Sequence, residues 1–306
     1  MMLIRDGQKV DAAGLVATIG FFDGVHRGHR FLIDQLKEVA GRYKLPSAVI
    51  TFSQHPRKVL HADYQPELLN SLPEKIDLLA SMNIDYCIVL DFTLQLANLS
   101  AQQFLSEVLS ADYHVKALVV GYDHRFGHNR EDGFEQYVSY GEACGMDVIK
   151  AASLEADEVP VSSSLIRRCL KQGKVEDAAL LLSYPYSLKG HVVSGYQMGR
   201  KLGFPTANIT VDEPQKLIPA IGVYAVYVFL NGQKYKGMLY IGSRPTLHNG
   251  TNVSIEVYIL DFSGSIYQEA ISVLFIRRIR DDIHFDTLNE LQEQLKRDEK
   301  TVREML

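Results

Sequence analysis

The sequence predicts an α/β domain built on a parallel sheet, followed by an antiparallel sheet or small barrel that ends in a helix. Three observations carry this. Short β-rich runs alternate with helical spacing through the first half. Strand follows strand beyond Tyr184-Pro185-Tyr186. A charged amphipathic segment closes the chain. The 306 residues suffice for two domains that each bury a core.

In the first half the β-rich runs are residues 15–20, 47–52, 85–90, 115–121 and 147–150. They are continuously apolar, as strands covered on both faces must be. Leu32, Leu36, Val39 and Ala40 mark one face of an intervening helix. Ser100 with Gln103 reads as a capping box ahead of Phe104, Leu105, Val108 and Leu109. In the second half, residues 222–230 and 234–242 flank Asn231-Gly232, a two-residue hairpin signal. Residues 252–260 and 265–276 flank the turn Asp261-Phe262-Ser263-Gly264. Residues 286–303 place Leu288, Leu291 and Leu295 on one face of a last helix.

The bulk properties exclude some functions. Charged residues make up 23%, and the formal net charge is −5. That balance gives no electrostatic footprint for nucleic acid or an anionic membrane, so bound phosphates need local sites. Three scattered cysteines, Cys87, Cys144 and Cys169, provide neither a disulfide framework nor a metal quartet. The opening residues lack an apolar run with a cleavage site, and no apolar stretch is of bilayer length. A cytoplasmic location is expected.

Ligands of parallel sheets sit outside the carboxyl ends of the strands, so motifs that follow strands weigh most. After the first β-rich run comes Gly20-Phe21-Phe22-Asp23-Gly24-Val25-His26-Arg27-Gly28-His29. Gly20, Gly24 and Gly28 permit tight turns and close backbone approach, and a helix begins near Gly28. His26 and His29, three apart, share one face at that helix start and can stabilise charge on a triphosphate. Ser162, Ser163 and Ser164 open a second helix, with Arg167 one turn in, a hydroxyl and guanidinium set that suits phosphate oxygens. Taken alone, this is an ordinary helix cap. Together the two elements suggest nucleotidyl transfer, in which positioning and charge neutralisation carry the catalysis.

In the second half, residues 190–208 hold Gly190, Gly195, Gly199 and Gly203, glycines that suit a loop around phosphates. Thr206 and Asn208 alternate by two and point to one side of an extended chain, where their oxygens can help hold a hydrated magnesium ion. Glu256 lies opposite the apolar face of Val253, Ile255, Val257 and Ile259. Such a glutamate is usually just solvated, but in a cleft it accepts the proton of an attacking hydroxyl.

The motifs also resemble a known family. Residues 20–29 are similar to the H-x-G-H signature of the nucleotidylyltransferase superfamily, in the form seen in bacterial FAD synthetases, and residues 161–167 resemble its partner motif. Ser164 stands where threonine is usual, Leu165 where arginine is frequent, and His124 where phenylalanine is common. Thr51-Phe52-Ser53-Gln54-His55-Pro56 and residues 121–127 match segments that line the flavin and nucleotide site. Pro205-Thr206-Ala207-Asn208, residues 218–225 and 241–246, and the stretch around Glu256 resemble the riboflavin kinase module in order, with Met198 where arginine is frequent.

The resemblance implies a Rossmann-like nucleotidylyltransferase domain over residues 1–184 and a six-stranded antiparallel barrel with a C-terminal helix over 185–306. It implies phosphorylation of riboflavin to FMN and adenylylation of FMN to FAD, with magnesium and ATP. The expected roles follow. Glu256, His26 and His29 are catalytic. Gly20, Asp23, Gly24, Gly28, Ser162, Ser163, Ser164, Arg167, Gly190, Gly195, Gly199, Arg200 and Gly203 bind ATP or phosphate. Phe52, His55, Pro56, Asp123 and Phe126 bind flavin, and Thr206 and Asn208 hold the metal. The partners are riboflavin, FMN and ATP, without nucleic acid or membrane, and the chain is expected as a monomer or weak homo-oligomer.

Overall fold

A computed structural model describes residues 1–60, 63–122, 125–128, 131–153, 161–195, 199, 202–243 and 253–306. Two compact units divide the chain, Met1–Ser162 and Ser163–Leu306.

The first unit runs β1 (Met2–Arg5), β2 (Leu15–Ile19), α1 (Arg27–Tyr43), β3 (Ser47–Phe52), α2 (Pro56–Leu60), α3 (Leu72–Ala80) and β4 (Tyr86–Leu90). It continues through α4 (Leu94–Ala97), α5 (Ala101–Gln103), β5 (Val115–Val120), α6 (Phe134–Ala143) and β6 (Asp147–Lys150). Six parallel strands pair in the order β1-β4-β3-β2-β5-β6. Every residue of β2 and β3 is buried, because alternate side chains enter different cores. Leu15, Ala17 and Ile19 face one core. Val16 faces the other, with Ile33, Leu36, Val39 and Ala40 of α1. The buried face of α1 thus takes Ile33 where the spacing pointed to Leu32, which is only partly buried. The chain steps outward from β2 to β3 and β4, then returns to the far side of β2 as β5. That reversal makes the carboxyl ends of β2 and β5 the crevice of the sheet.

Two local features differ from the reading above. The four-residue strand β1 has no sequence signal of its own and pairs with β4 at the sheet edge. The Ser100–Gln103 capping box is present, but the helix it starts becomes a π-helical segment, Phe104–Asp112. There Tyr113 N–H reaches back five residues to Val108 O.

The second unit opens with α7 (Ser163–Lys171) and α8 (Val175–Leu182). Strands β7 (Ser187–Val193), β8 (Thr206–Val211), β9 (Gly222–Leu230), β10 (Gln233–Ser243), β11 (Val253–Ile259) and β12 (Ala270–Arg280) follow, then α9 (Leu288–Met305). The six strands close an antiparallel barrel in the order β10-β11-β8-β7-β12-β9. The compact division falls before α7, because both helices pack on the barrel. Ala220 N–H donates to Leu170 O, Arg278 donates to Gln172 O, and Arg277 pairs with Glu176.

The β9–β10 hairpin has Asn231 at φ 50° and Gly232 at φ 76°, the left-handed pair that a type I′ turn demands. The turn at residues 261–264 does not join ladder neighbours. β12 starts only at Ala270 and lies between β7 and β9, away from β11. A capping box from Thr287 and Glu290 starts α9. The buried carboxylate of Asp298 takes a two-pronged contact from Arg280 of β12, fastening that helix to the barrel.

Candidate active sites

The turn after β2 is tightly wound. Phe22, Gly24 and Val25 all have positive φ, 53°, 86° and 36°. For β-branched Val25 this is strained backbone, held by its surroundings. His26 then caps α1, its Nδ1 accepting from His29 N–H at 3.4 Å. The two imidazoles stack with centroids 3.7 Å apart, and the edge of Phe22 closes on His29. Gly28 lies against the His26 ring, where a Cβ would sit 3.3 Å from it. The first turn of α1 carries no acidic residue. Two imidazole rings and the positive end of a seventeen-residue helix therefore stand together at the carboxyl end of β2, an arrangement suited to an anion.

Asp23 sits in the middle of this turn. Its carboxylate is buried and accepts from Leu69 N–H at 2.9 Å and Asn70 N–H at 3.2 Å. It anchors the turn to the segment before α3.

After β3, Pro56 begins α2, as proline does at a first helical position. Half-buried His55 turns its Nδ1 to Arg57 N–H and places its ring 4.7 Å from Phe21 and 5.4 Å from Tyr64. Phe52 meets Phe92 edge to face. Phe126 is buried in the core of the first unit. Its ring stacks on Tyr137 at 4.2 Å and lies beside Phe104, and its backbone N–H and C=O both bond the Tyr137 hydroxyl. Asp123 and His124 lie outside the described residues.

Sequence reasoning missed Phe21, Tyr64, Phe92 and Lys75. Lys75 of α3 is buried, with its Nζ 3.0 Å from Phe21 O and 3.1 Å from Phe52 O, and 4.2 Å from the Phe21 ring centroid. Burial draws its pKa down to about 8, against the pull of Asp23.

At the start of the second unit, Ser163 opens α7, with Ser162 just before it and Ser164 and Arg167 in its first turn or so. Ile166, Cys169 and Leu170 form the buried face, with Ser162 and Ser164 exposed and Arg167 half-buried.

The barrel site is regular by comparison. The ladder sets Glu256 of β11 opposite Asn208 of β8 and Tyr240 of β10. All three point outward, since Ile255 and Val257 fill the interior. Thr206, two residues from Asn208 on the same face, donates from Oγ1 to Glu256 Oε2 at 3.0 Å. Gly195 lies directly against the Asn208 amide, and Gly199 against Thr206 and Phe204 O, so side chains there would collide. Gly203 takes φ 86° in the turn between them. Gly190 is different, because it belongs to strand β7, and its missing side chain makes room for Thr210 O of the neighbouring strand. Arg200 and Met198 lie outside the described residues.

Tyr240, which sequence reasoning missed, donates to Asp282. Burial, then the nearby Asp282 charge, raises its pKa to about 12. Phe204 and Tyr258 form an edge-to-face pair beside the row, and α9 closes over them through Gln292, which donates to Leu202 O.

The Thr206 hydroxyl, the Asn208 amide oxygen and the Glu256 carboxylate are hard oxygen donors on one face, a set that fits a hydrated hard cation such as magnesium. Among the described residues, no group of three His, Cys, Asp or Glu side chains could hold a metal ion.

Comparison with known proteins agrees with this layout. The family model for FAD synthetase matches residues 8–165, and that for riboflavin kinase matches residues 182–306. A bifunctional riboflavin kinase/FMN adenylyltransferase of Listeria monocytogenes serovar 1/2a is 39% identical over 290 residues, covering 94% of this chain and 91% of the relative. That of Escherichia coli K12 is 38% identical over 308 residues, covering 99% and 97%. A crystal structure from Streptococcus pneumoniae, described as a macrolide-efflux protein, superposes with a TM-score of 0.90 at 32% identity, covering 99% of both chains. With stacked histidines at the head of α1, a Thr206–Glu256 pair on the barrel and matches along nearly its whole length, the chain belongs to the bifunctional riboflavin kinase/FMN adenylyltransferase family.

Proposed function

We propose that the barrel phosphorylates riboflavin and that the nucleotidylyltransferase module, residues 1–184, adenylylates the FMN so formed. The observation that carries the first step is the cross-strand contact of Glu256 with Thr206, beside Asn208. Glu256 accepts the proton of the riboflavin 5′-hydroxyl as its oxygen bonds to the γ-phosphorus of ATP and the bridging oxygen leaves with ADP. Thr206 and Asn208 hold magnesium with the nucleotide, and Gly195, Gly199, Gly203 and Arg200 wrap its phosphates. Magnesium, when bound, neutralises charge on the transferring phosphoryl group. Thr206 also fixes the carboxylate geometry before substrate arrives.

In the second step an FMN phosphate oxygen attacks the α-phosphorus of a second ATP, and pyrophosphate leaves. The stacked His26 and His29 stabilise the charge that builds there. Gly20, Gly24 and Gly28 bring the backbone close, Ser162, Ser163, Ser164 and Arg167 hold the β- and γ-phosphates, and Phe52, His55 and Pro56 meet the flavin. Among the described residues, no helix is long and apolar enough to cross a membrane. A cytoplasmic location suits ATP-dependent chemistry on soluble substrates. No observation on either site favours transport of a macrolide.

A chromatographic assay with riboflavin, ATP and magnesium tests the reading. Wild type should yield FMN and FAD. Glu256→Ala should lose FMN formation but convert added FMN to FAD, and His29→Ala should stop at FMN. A wild type that makes neither product refutes both assignments.

A further inference from the structure

We infer that Lys75 is a positioning residue for adenylyl transfer, whose ammonium group clamps the turn after β2 to the turn after β3. The inference rests on the assignment of those turns to the triphosphate and the flavin. The two turns leave adjacent parallel strands and are met by one cation: Lys75 Nζ donates to Phe21 O and to Phe52 O. Phe21 O also accepts from Thr51, and the Phe21 ring touches His55 of the second turn. The stretch from Phe21 leads straight to His26 and His29, and that from Phe52 to His55 and Pro56. A shift of either carbonyl therefore changes the distance between the groups assigned to the two substrates, a variable to which group transfer is steeply sensitive.

Stability alone is a poor account of this residue. A buried ammonium is costly, and a methionine would fill the same space without desolvating a charge. The charged groups facing Lys75 are Asp23 from the first turn and, were it ionised, the Cys87 thiol from β4. Glu74, its neighbour on α3, is turned to Ser71 in a capping box. Burial raises the Cys87 thiol to about 11, so Lys75 is the group of this cluster that changes charge near pH 8. Loss of that proton replaces two charge-assisted bonds with neutral ones and removes a buried positive charge from the strand ends.

The test measures FAD formation from FMN and ATP for wild type, Lys75→Met, Lys75→Arg and His29→Ala, with riboflavin phosphorylation by each chain as the internal control. Lys75→Met should lose at least about tenfold in kcat/KM for both substrates while riboflavin phosphorylation is unchanged. In wild type, kcat/KM for FAD formation should fall above about pH 8, a limb that Lys75→Arg lacks because arginine stays charged. Wild-type FAD kinetics in Lys75→Met, or the same alkaline limb in Lys75→Arg, overturns the inference. Should Lys75→Met fail to fold, the pH profiles of wild type and Lys75→Arg decide alone. His29→Ala separates the two levels of failure. If it makes FAD at the wild-type rate, the assignment of the turns falls and this inference with it. If it is inactive while Lys75→Met is not, only the clamp is wrong.

Discussion

The two candidate sites are built by opposite means. The barrel site hangs on hydrogen-bonded ladders: Thr206 and Asn208 share a face because they are two apart on β8, and Glu256 meets them because β11 pairs with β8. The site after β2 hangs on a strained turn whose shape is held from outside, by Asp23 reaching Leu69 and Asn70 and by Lys75 reaching Phe21 and Phe52. Strand geometry is local and periodic, whereas turn geometry is borrowed from residues some 46 to 54 positions away. The barrel site should therefore respond mainly to its own residues, and the turn site to distant ones as well.

The sharpest test of that contrast is Glu256→Gln. It should lower riboflavin phosphorylation by about 10²–10⁴-fold, the usual worth of a general base, and leave FAD formation from added FMN untouched. His29→Ala should cost FAD formation about 10²–10³-fold in kcat, as removal of one preorganised donor does, with riboflavin phosphorylation intact. Asp23→Ala removes the distant anchor of the turn. Loss of a buried acceptor for two backbone donors should destabilise the first unit by about 1–3 kcal/mol in urea unfolding and reduce FAD formation. If FAD formation survives at full rate in a measurably destabilised Asp23→Ala, the turn does not depend on its distant anchor and the contrast collapses.

The smallest effect is in stability against pH. The Lys75 pKa is lowered in the fold, from 10.5 to about 8, so the unfolded chain holds that proton over a range in which the folded chain has released it. Stability should rise with pH in that window, by about 1 kcal/mol between pH 8 and 9, in wild type relative to Lys75→Met. Above pH 9 the Cys87 thiol, raised to about 11, works in the other direction, so the lower part of the window is the one to measure by denaturant midpoint. Activity and stability are thus expected to move oppositely as Lys75 loses its proton.

What was legible in the sequence follows the same division. The alternation around Glu256, the two-residue spacing of Thr206 and Asn208 and the Asn231-Gly232 turn all state local geometry, and the barrel realises each. The β-rich runs of the first half became parallel strands because continuous apolar character leaves a strand few alternatives to double-sided burial. Lys75 was not legible. In Leu72-Pro73-Glu74-Lys75-Ile76 it looks like any solvated lysine of an amphipathic helix, and only the packing of α3 reveals its burial. The bonds that Asp23 and Phe126 make were not legible either. In each case the partner, Leu69 or Tyr137, belongs to another segment. The strand β1 escaped notice because a four-residue edge strand with one buried side chain, Ile4, carries no periodic signal.

The position of β12 in the barrel has a consequence for how the chain is made. The parallel sheet has all six strands by Lys150, so the first unit can fold while the ribosome is still at work on the rest. The barrel has no such opportunity. Its seam closes only when Ala270–Arg280 arrives between β7 and β9, the former some eighty residues earlier in the chain. Until then both neighbours present open backbone edges, able to pair with another nascent chain. A premature stop between Leu230 and Ala270 would leave those edges exposed for good, and the truncated product should reach the insoluble fraction even though its first unit is complete.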